Sequence, residues 1–215
     1  MTSLSDIIVI FSGGILLVSF FMVSRMRLRT MVSLFRAQSL LLAGYTSVLA
    51  LILDEPAMLI PAGLIFVAKV FAVPYLIRSS SRRMNASERL SSFLRPTGLS
   101  IAALVLISGA FLVAQSLPFT TSEQGIVGTA FALIALGFLL LVTRTDMYGQ
   151  TLGFLTLENG IFAFGLSLTH GMPLLVELGV VFDVMVAFLL MTALLARAQK
   201  EYRSVGTENL RELIG

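Results

Sequence analysis

Seven stretches of about 20 mainly apolar residues follow one another along this chain. A helix of roughly 20 apolar residues crosses a bilayer hydrocarbon core of about 30 Å. In 215 residues that are 57% hydrophobic and 13% charged, these stretches leave little sequence for a water-soluble domain. The sequence therefore predicts an all-α, polytopic membrane protein with seven transmembrane helices. We expect these helices over residues 4–24, 31–53, 57–77, 97–117, 125–143, 149–169 and 173–196.

The basic residues outside these spans fall on one side of the predicted membrane. They lie around Arg25–Arg29, in Arg78–Arg95, at Arg144 and in the C-terminal tail, and alternation of seven spans brings all four segments to a common face. Because Lys and Arg are enriched in cytoplasmic loops, this pattern predicts an outer N-terminus and a cytoplasmic C-terminus.

The segment Arg78–Arg95 is the only long polar connection, and it predicts a division of the chain. Residues 1–96 would form a three-helix membrane part with a basic cytoplasmic loop, residues 97–196 a four-helix membrane part, and residues 197–215 a cytoplasmic tail. The loop is either a retention signal that touches anionic lipid headgroups or a docking site for a cytoplasmic partner. Since no repeat links the two parts, the sequence does not indicate an inverted-repeat transporter.

The scarcity of metal-ligating residues bounds the chemistry of this chain. Cysteine is absent and histidine occurs once, at His170. The chain by itself cannot supply ligands for an iron–sulfur cluster, a thiolate-bound metal or a bis-histidine haem. We therefore expect no cofactor here and assign any redox chemistry to another polypeptide.

Ionisable residues inside the spans are the strongest functional signal, because a charge near the bilayer centre costs roughly 3 kcal/mol or more. By helix rise, Lys69, Glu158 and Asp183 each lie about 14 to 18 Å from one membrane edge, near the midplane. Such a row predicts a proton relay or a charge-coupling line. The alternative is a static ion pair between Lys69 and either Glu158 or Asp183.

Three further residues are candidates for the proton relay or for the polar surface near it. Glu177 is the fifth residue of the last span, where it could form the mouth of a proton pathway or serve as an N-terminal acid favoured by the helix dipole. Arg36 and Gln38 are candidate polar residues on the cytoplasmic side of the second span, and Arg36 can extend to headgroups.

Backbone signals accompany these charges. Pro61 and Pro74 flank Lys69 and predict a distorted helix around it. Gly149 and Gly153 form a G-x-x-x-G pair that permits close helix packing.

Short motifs occur along the chain: FRAQSL at 35–40, VAKV at 67–70, LENG at 157–160, LVELG at 175–179, and the closing ENL at 208–210 with Gly215. Together they resemble hydrogenase-4 component E, and the similarity extends over the whole chain. The last three helices are also similar to the small K subunit of respiratory complex I, which carries two buried glutamates. By position, Glu158 matches the first of these glutamates and Asp183 the second.

The resemblance implies a non-catalytic membrane subunit of a complex I-like or energy-converting hydrogenase complex in a bacterial or archaeal cytoplasmic membrane. Its implied partners are antiporter-like membrane subunits, a membrane subunit like the quinone-site H subunit, and a peripheral hydrogenase-like redox arm. The implied function is coupling of redox chemistry to proton or sodium translocation. Two other functions stay open: a stand-alone ion/proton antiporter and a structural scaffold of the same complex.

Overall fold

The computed structural model describes residues 4–83, 88–119 and 121–169, and this part of the chain is helical apart from its turns and two isolated β-bridges. The predicted seventh span with Glu177 and Asp183, His170 and the C-terminal tail lie outside the described residues. The helices are α1 (Leu4–Ser24), α2 (Leu28–Ile52), a 3-10 turn (Pro56–Met58), α3 (Leu59–Ile65), a π-helix (Phe66–Ala72), α4 (Val73–Arg83), α5 (Pro96–Ser116), α6 (Thr121–Thr143) and α7 (Met147–Thr169).

Four helical stretches are long and apolar enough to cross a membrane, counted within the ranges given above. They are Leu28–Ile52, Pro56–Arg82, Pro96–Ser116 and Gln124–Thr143, and α1 adds a shorter apolar stretch, Val9–Ser24. They agree within a few residues with the spans predicted from the second to the fifth position, because apolar length is a local property of the sequence.

Helix α7 coincides closely with the sixth predicted span but is not among these four stretches. The middle of this helix carries Glu158 and Asn159. Polar residues in a membrane bundle face its interior rather than lipid. Both residues are at most 4% exposed, so α7 is held against the other helices.

Glycines bring the backbones of α6 and α7 into direct contact. A Cβ atom added to Gly137 would lie 2.5 Å from the backbone nitrogen of Leu157, and one added to Gly160 would lie 2.7 Å from the nitrogen of Ile134. Gly153 faces the same seam, whereas Gly149 packs on the side chain of Arg144. Of the predicted glycine pair, one member therefore packs on α6 and the other on an arginine.

One end of the bundle is closed by the segment that precedes α5. The backbone N–H of Leu90 donates to the carbonyl of Met26 (2.8 Å), and that of Phe93 donates to the carbonyl of Thr143 (2.9 Å). The segment thus joins the α1–α2 turn to the α6–α7 turn. The basic turns around residues 25–29, 88–95 and 144 lie together at this end.

Arg144 is part of this closure, although it follows an apolar helix and is only 1% exposed. Its Nη2 atom donates to the carbonyl oxygens of Val23 (2.9 Å) and Arg25 (2.6 Å). The carbonyl of Val23 belongs to the last turn of α1, where carbonyls have no partner within the helix, and that of Arg25 lies just beyond the end of α1. Burial lowers the pKa of Arg144, and the nearby carboxylate of Asp146 raises it.

Candidate functional site

Lys69 lies on a π-helical segment whose cause is local. Pro74 has no N–H group, and its ring would clash with the carbonyl of Val70 in a regular α-helix. The chain widens instead, and the N–H of Val73 bonds to the carbonyl of Ala68, five residues earlier. Single π-helical turns inside α-helices are found frequently at functional sites. The predicted distortion between Pro61 and Pro74 is present in this form.

The ammonium group of Lys69 is buried and held by two residues of α7. Its Nζ atom lies 2.9 Å from Oε1 of Glu158 and donates to Oδ1 of Asn159 at 3.0 Å. The two charged side chains are 3% and 5% exposed. A buried charge needs a counter-charge and hydrogen bonds, and here both come from one helix.

Asn159 connects this ion pair to α2. Its Nδ2 atom donates to the Oγ atom of Ser39 at 3.3 Å, while its Oδ1 atom accepts from Lys69. The side-chain amide is therefore used on both sides, with its oxygen toward the cation. The four residues Ser39, Asn159, Lys69 and Glu158 form a continuous polar array across three helical segments, which we call the polar cluster.

A second polar pair lies next to the cluster on α2. Gln38 is fully buried, and its Nε2 atom donates to the Oγ atom of Ser19 on α1 at 3.1 Å. Ser19 donates in turn to the carbonyl of Ile15 at 2.6 Å. The Oε1 atom of Gln38 has no hydrogen-bond partner among the described residues. Gln38 is thus an interior residue and extends the polar region toward α1.

Arg36, another predicted site residue, is separate from the polar cluster. Arg36 is exposed, and its guanidinium carbon lies 5.1 Å from the ring centroid of Phe71. Glu177 and Asp183 fall outside the described residues. Lys69 and Glu158 are therefore the two predicted relay residues that the structure brings together.

Sequence reasoning missed Ser19, Ser39 and Asn159 as members of this region. Each is a polar residue inside an apolar helix, and this position is the sequence feature that could have indicated a role. The feature is weak for serine, because a serine hydroxyl readily bonds to the backbone of its own helix. Within the described part of the chain, no three His, Cys, Asp or Glu side chains lie together as metal ligands would.

The polar cluster has the chemistry to hold a proton or respond to a nearby charge. A carboxylate and an ammonium in contact form a neutral pair whose stability depends on the surrounding charges. Interactions between charges are stronger in an apolar surrounding than in water. A new charge within a few ångströms would therefore change the stability of the ion pair strongly.

Known proteins of similar sequence cover almost the whole chain. An uncharacterized protein of Mycobacterium tuberculosis is 31% identical over 94% of this chain and 93% of its own length. Hydrogenase-4 component E of Escherichia coli K12 is 26% identical over 95% of both chains, and the Shigella flexneri protein of that name gives the same values. No protein-family model matches the chain. No solved structure matches it significantly.

Proposed function

Because this chain belongs to the family that includes hydrogenase-4 component E, we propose that it is a membrane-arm subunit that couples redox chemistry in other subunits to proton or sodium translocation. The similarity to that component over 95% of both chains supports membership of a multi-subunit hydrogenase complex. The observation that carries the coupling role is the buried Lys69–Glu158 pair at 2.9 Å.

In this proposal the ion pair acts as a charge-sensitive element. A proton or cation arriving near Glu158 would compete with Lys69 for the carboxylate, and the freed ammonium would repel cations further along the membrane. Asn159 and Ser39 would hold the lysine in place during that exchange. Asp183 and Glu177, in the predicted last span, would continue the line as further acidic groups.

The proposed topology has seven spans, an outer N-terminus and a cytoplasmic C-terminus, in a bacterial or archaeal cytoplasmic membrane. Residues 1–96 would form the part that carries Lys69, residues 97–196 the part that carries the acids, and residues 197–215 the cytoplasmic tail. The neighbours would be antiporter-like membrane subunits, an H-subunit-like membrane subunit and a peripheral hydrogenase-like redox arm. The subunit would have no active site of its own.

Substitution of Glu158 by glutamine in the assembled complex tests this function. The change keeps size and hydrogen-bonding capacity but removes the charge, so we expect fewer ions translocated per electron while electron transfer continues. Glu88→Gln is the matched control, because Glu88 is 60% exposed and pairs with Arg29 away from the cluster. An unchanged ion-to-electron ratio in the Glu158→Gln complex would refute the coupling role.

A structural scaffold is the second candidate, and the same pair favours it. A buried ion pair that joins helices can serve assembly alone. The discriminating variant is Lys69→Met with Glu158→Met, which fills the space without charge. Reduced assembly, with an unchanged ion-to-electron ratio in the complexes that do form, would establish the scaffold and exclude the relay.

A further inference from the structure

A groove between α2 and α4 near the basic end of the bundle collects three arginines. Arg36, Arg78 and Arg82 line it together with the aromatic side chains of Phe71 and Tyr75, and its volume is about 490 Å³. All three arginines are exposed. None of the described residues that line this groove is an aspartate or glutamate. The groove therefore carries a concentrated positive charge.

Two of these arginines are held in position by contacts within the protein. The guanidinium of Arg36 stacks over Phe71 at 5.1 Å, and Nη2 of Arg78 donates to the Oγ atom of Ser33 at 3.1 Å. Glu88 lines the adjoining groove, but it already forms a 2.7 Å salt bridge with Arg29. Partly ordered guanidinium groups lose less conformational entropy on binding an anion and suit the geometry of phosphate.

The groove has arginines toward the basic end of the bundle and exposed aromatic and apolar side chains further in. Arg36 lies eight residues into α2, about 12 Å from the basic end of that helix. Within the groove, Phe71 and Tyr75 expose 49% and 72% of their surface. Val67, about one turn further from the basic end on the π-helix, exposes 63%. A ligand that fits has an anionic group at the membrane surface and hydrocarbon beneath it.

We propose that this groove binds an anionic phospholipid. The phosphate would be bound by Arg36, Arg78 and Arg82, and an acyl chain would lie along Val67 and Phe71. Charge complementarity selects this occupant, because zwitterionic lipids carry no net negative charge to match three arginines. The site is independent of the coupling function, since it shares no side chain with the polar cluster.

Lipid binding to the purified full-length chain in detergent tests the site. We expect pyrene-labelled phosphatidylglycerol to bind about tenfold more tightly than labelled phosphatidylcholine. Its binding should become weaker when salt is added, because salt screens the charges. In the Arg36→Gln, Arg78→Gln double variant we expect about 30-fold weaker binding of phosphatidylglycerol, at about 1 kcal/mol for each arginine. Arg82→Gln alone should weaken phosphatidylglycerol binding about fivefold. This single variant keeps the site testable if the double variant fails to fold.

The matched control is the double variant Arg27→Gln, Arg95→Gln, which loses two exposed charges from the same end but outside the groove. We expect its affinity for phosphatidylglycerol to stay within about twofold of the unmodified chain. Equal losses in both double variants would indicate diffuse surface charge and overturn the site. Equal binding of the two lipids would do the same. Displacement of the lipid by 10 mM inorganic phosphate would identify a free-phosphate site instead.

Discussion

The Nζ atom of Lys69 lies 2.9 Å from Oε1 of Glu158, 89 residues later in the chain, and both side chains are buried. One residue stands on a π-helix and the other at the middle of α7. Neither charge is accessible to solvent, so the two depend on each other and on the hydrogen bond from Lys69 to Asn159. Because of this mutual dependence, the interaction energy of the pair can be measured by mutation.

A double-mutant cycle on this pair should show strong coupling. Lys69→Met or Glu158→Met alone leaves a buried charge without its partner, and we expect each to lower the free energy of unfolding by about 3–5 kcal/mol. The double variant should recover most of that loss, because an apolar pair of similar volume replaces the ions. Thermal unfolding of the detergent-purified chain measures these differences.

The exposed pair Arg29–Glu88 provides the comparison for that cycle. Its side chains are 73% and 60% exposed at a separation of 2.7 Å. Water screens such a pair, so we expect a coupling energy of about 0–1 kcal/mol. Similar coupling energies in the two cycles would contradict a buried, low-dielectric setting for Lys69 and Glu158.

Asn159→Leu should destabilise the protein and loosen Lys69. The substitution removes the acceptor for Nζ of Lys69 and the donor to Ser39, and we expect a loss of about 1–3 kcal/mol in unfolding free energy. Thr156→Val is the control on the same helix, because the hydroxyl of Thr156 donates to the carbonyl of Leu152 in its own helix at 2.7 Å. A loss no greater than that of the control would show that Asn159 does not support the pair.

Gly137→Ala should disturb the seam between α6 and α7. The added methyl group would meet backbone atoms of Leu157 and Gly153 at 2.5 and 2.7 Å, and backbone cannot move aside as a side chain can. We expect a loss of about 1–3 kcal/mol from overpacking, seen as a lower unfolding temperature.

Gly109→Ala is the matched control, since a methyl group there meets no atom within 4 Å. Helix propensity alone should then stabilise this variant by up to about 1 kcal/mol. If Gly137→Ala were also stabilising, the close approach of the two backbones would be wrong.

Arg144→Leu should release the end of α1. The leucine cannot donate to the carbonyls of Val23 and Arg25, so we expect faster amide hydrogen exchange in the α1–α2 turn and a lower unfolding temperature. Arg95→Leu removes an exposed arginine at the same end and should leave that exchange unchanged. Equal exchange in the two variants would exclude a capping role for Arg144.

Much of the helical layout could be predicted from the sequence, because the length of an apolar stretch is a local quantity. The first predicted span matches α1, and the spans at 57–77 and 149–169 coincide with helical segments within a few residues. The prolines likewise predicted the distorted helix at Lys69, since a missing N–H acts on its own turn. The seventh predicted span, with Asp183 and Glu177, lies outside the described residues and stays a prediction.

The sequence by itself determined which residues are expensive to bury, and Lys69 and Glu158 stood out for that reason. The sequence left open which acid pairs with Lys69. It indicated Arg144 only as a basic residue in a loop between two spans. The tertiary structure brought Glu158, Asn159 and Ser39 to Lys69 and enclosed Arg144 at the end of α1. These contacts depend on how each helix is rotated about its axis and how deeply glycines let neighbours approach, and both are set by packing between distant segments rather than by any local stretch of sequence.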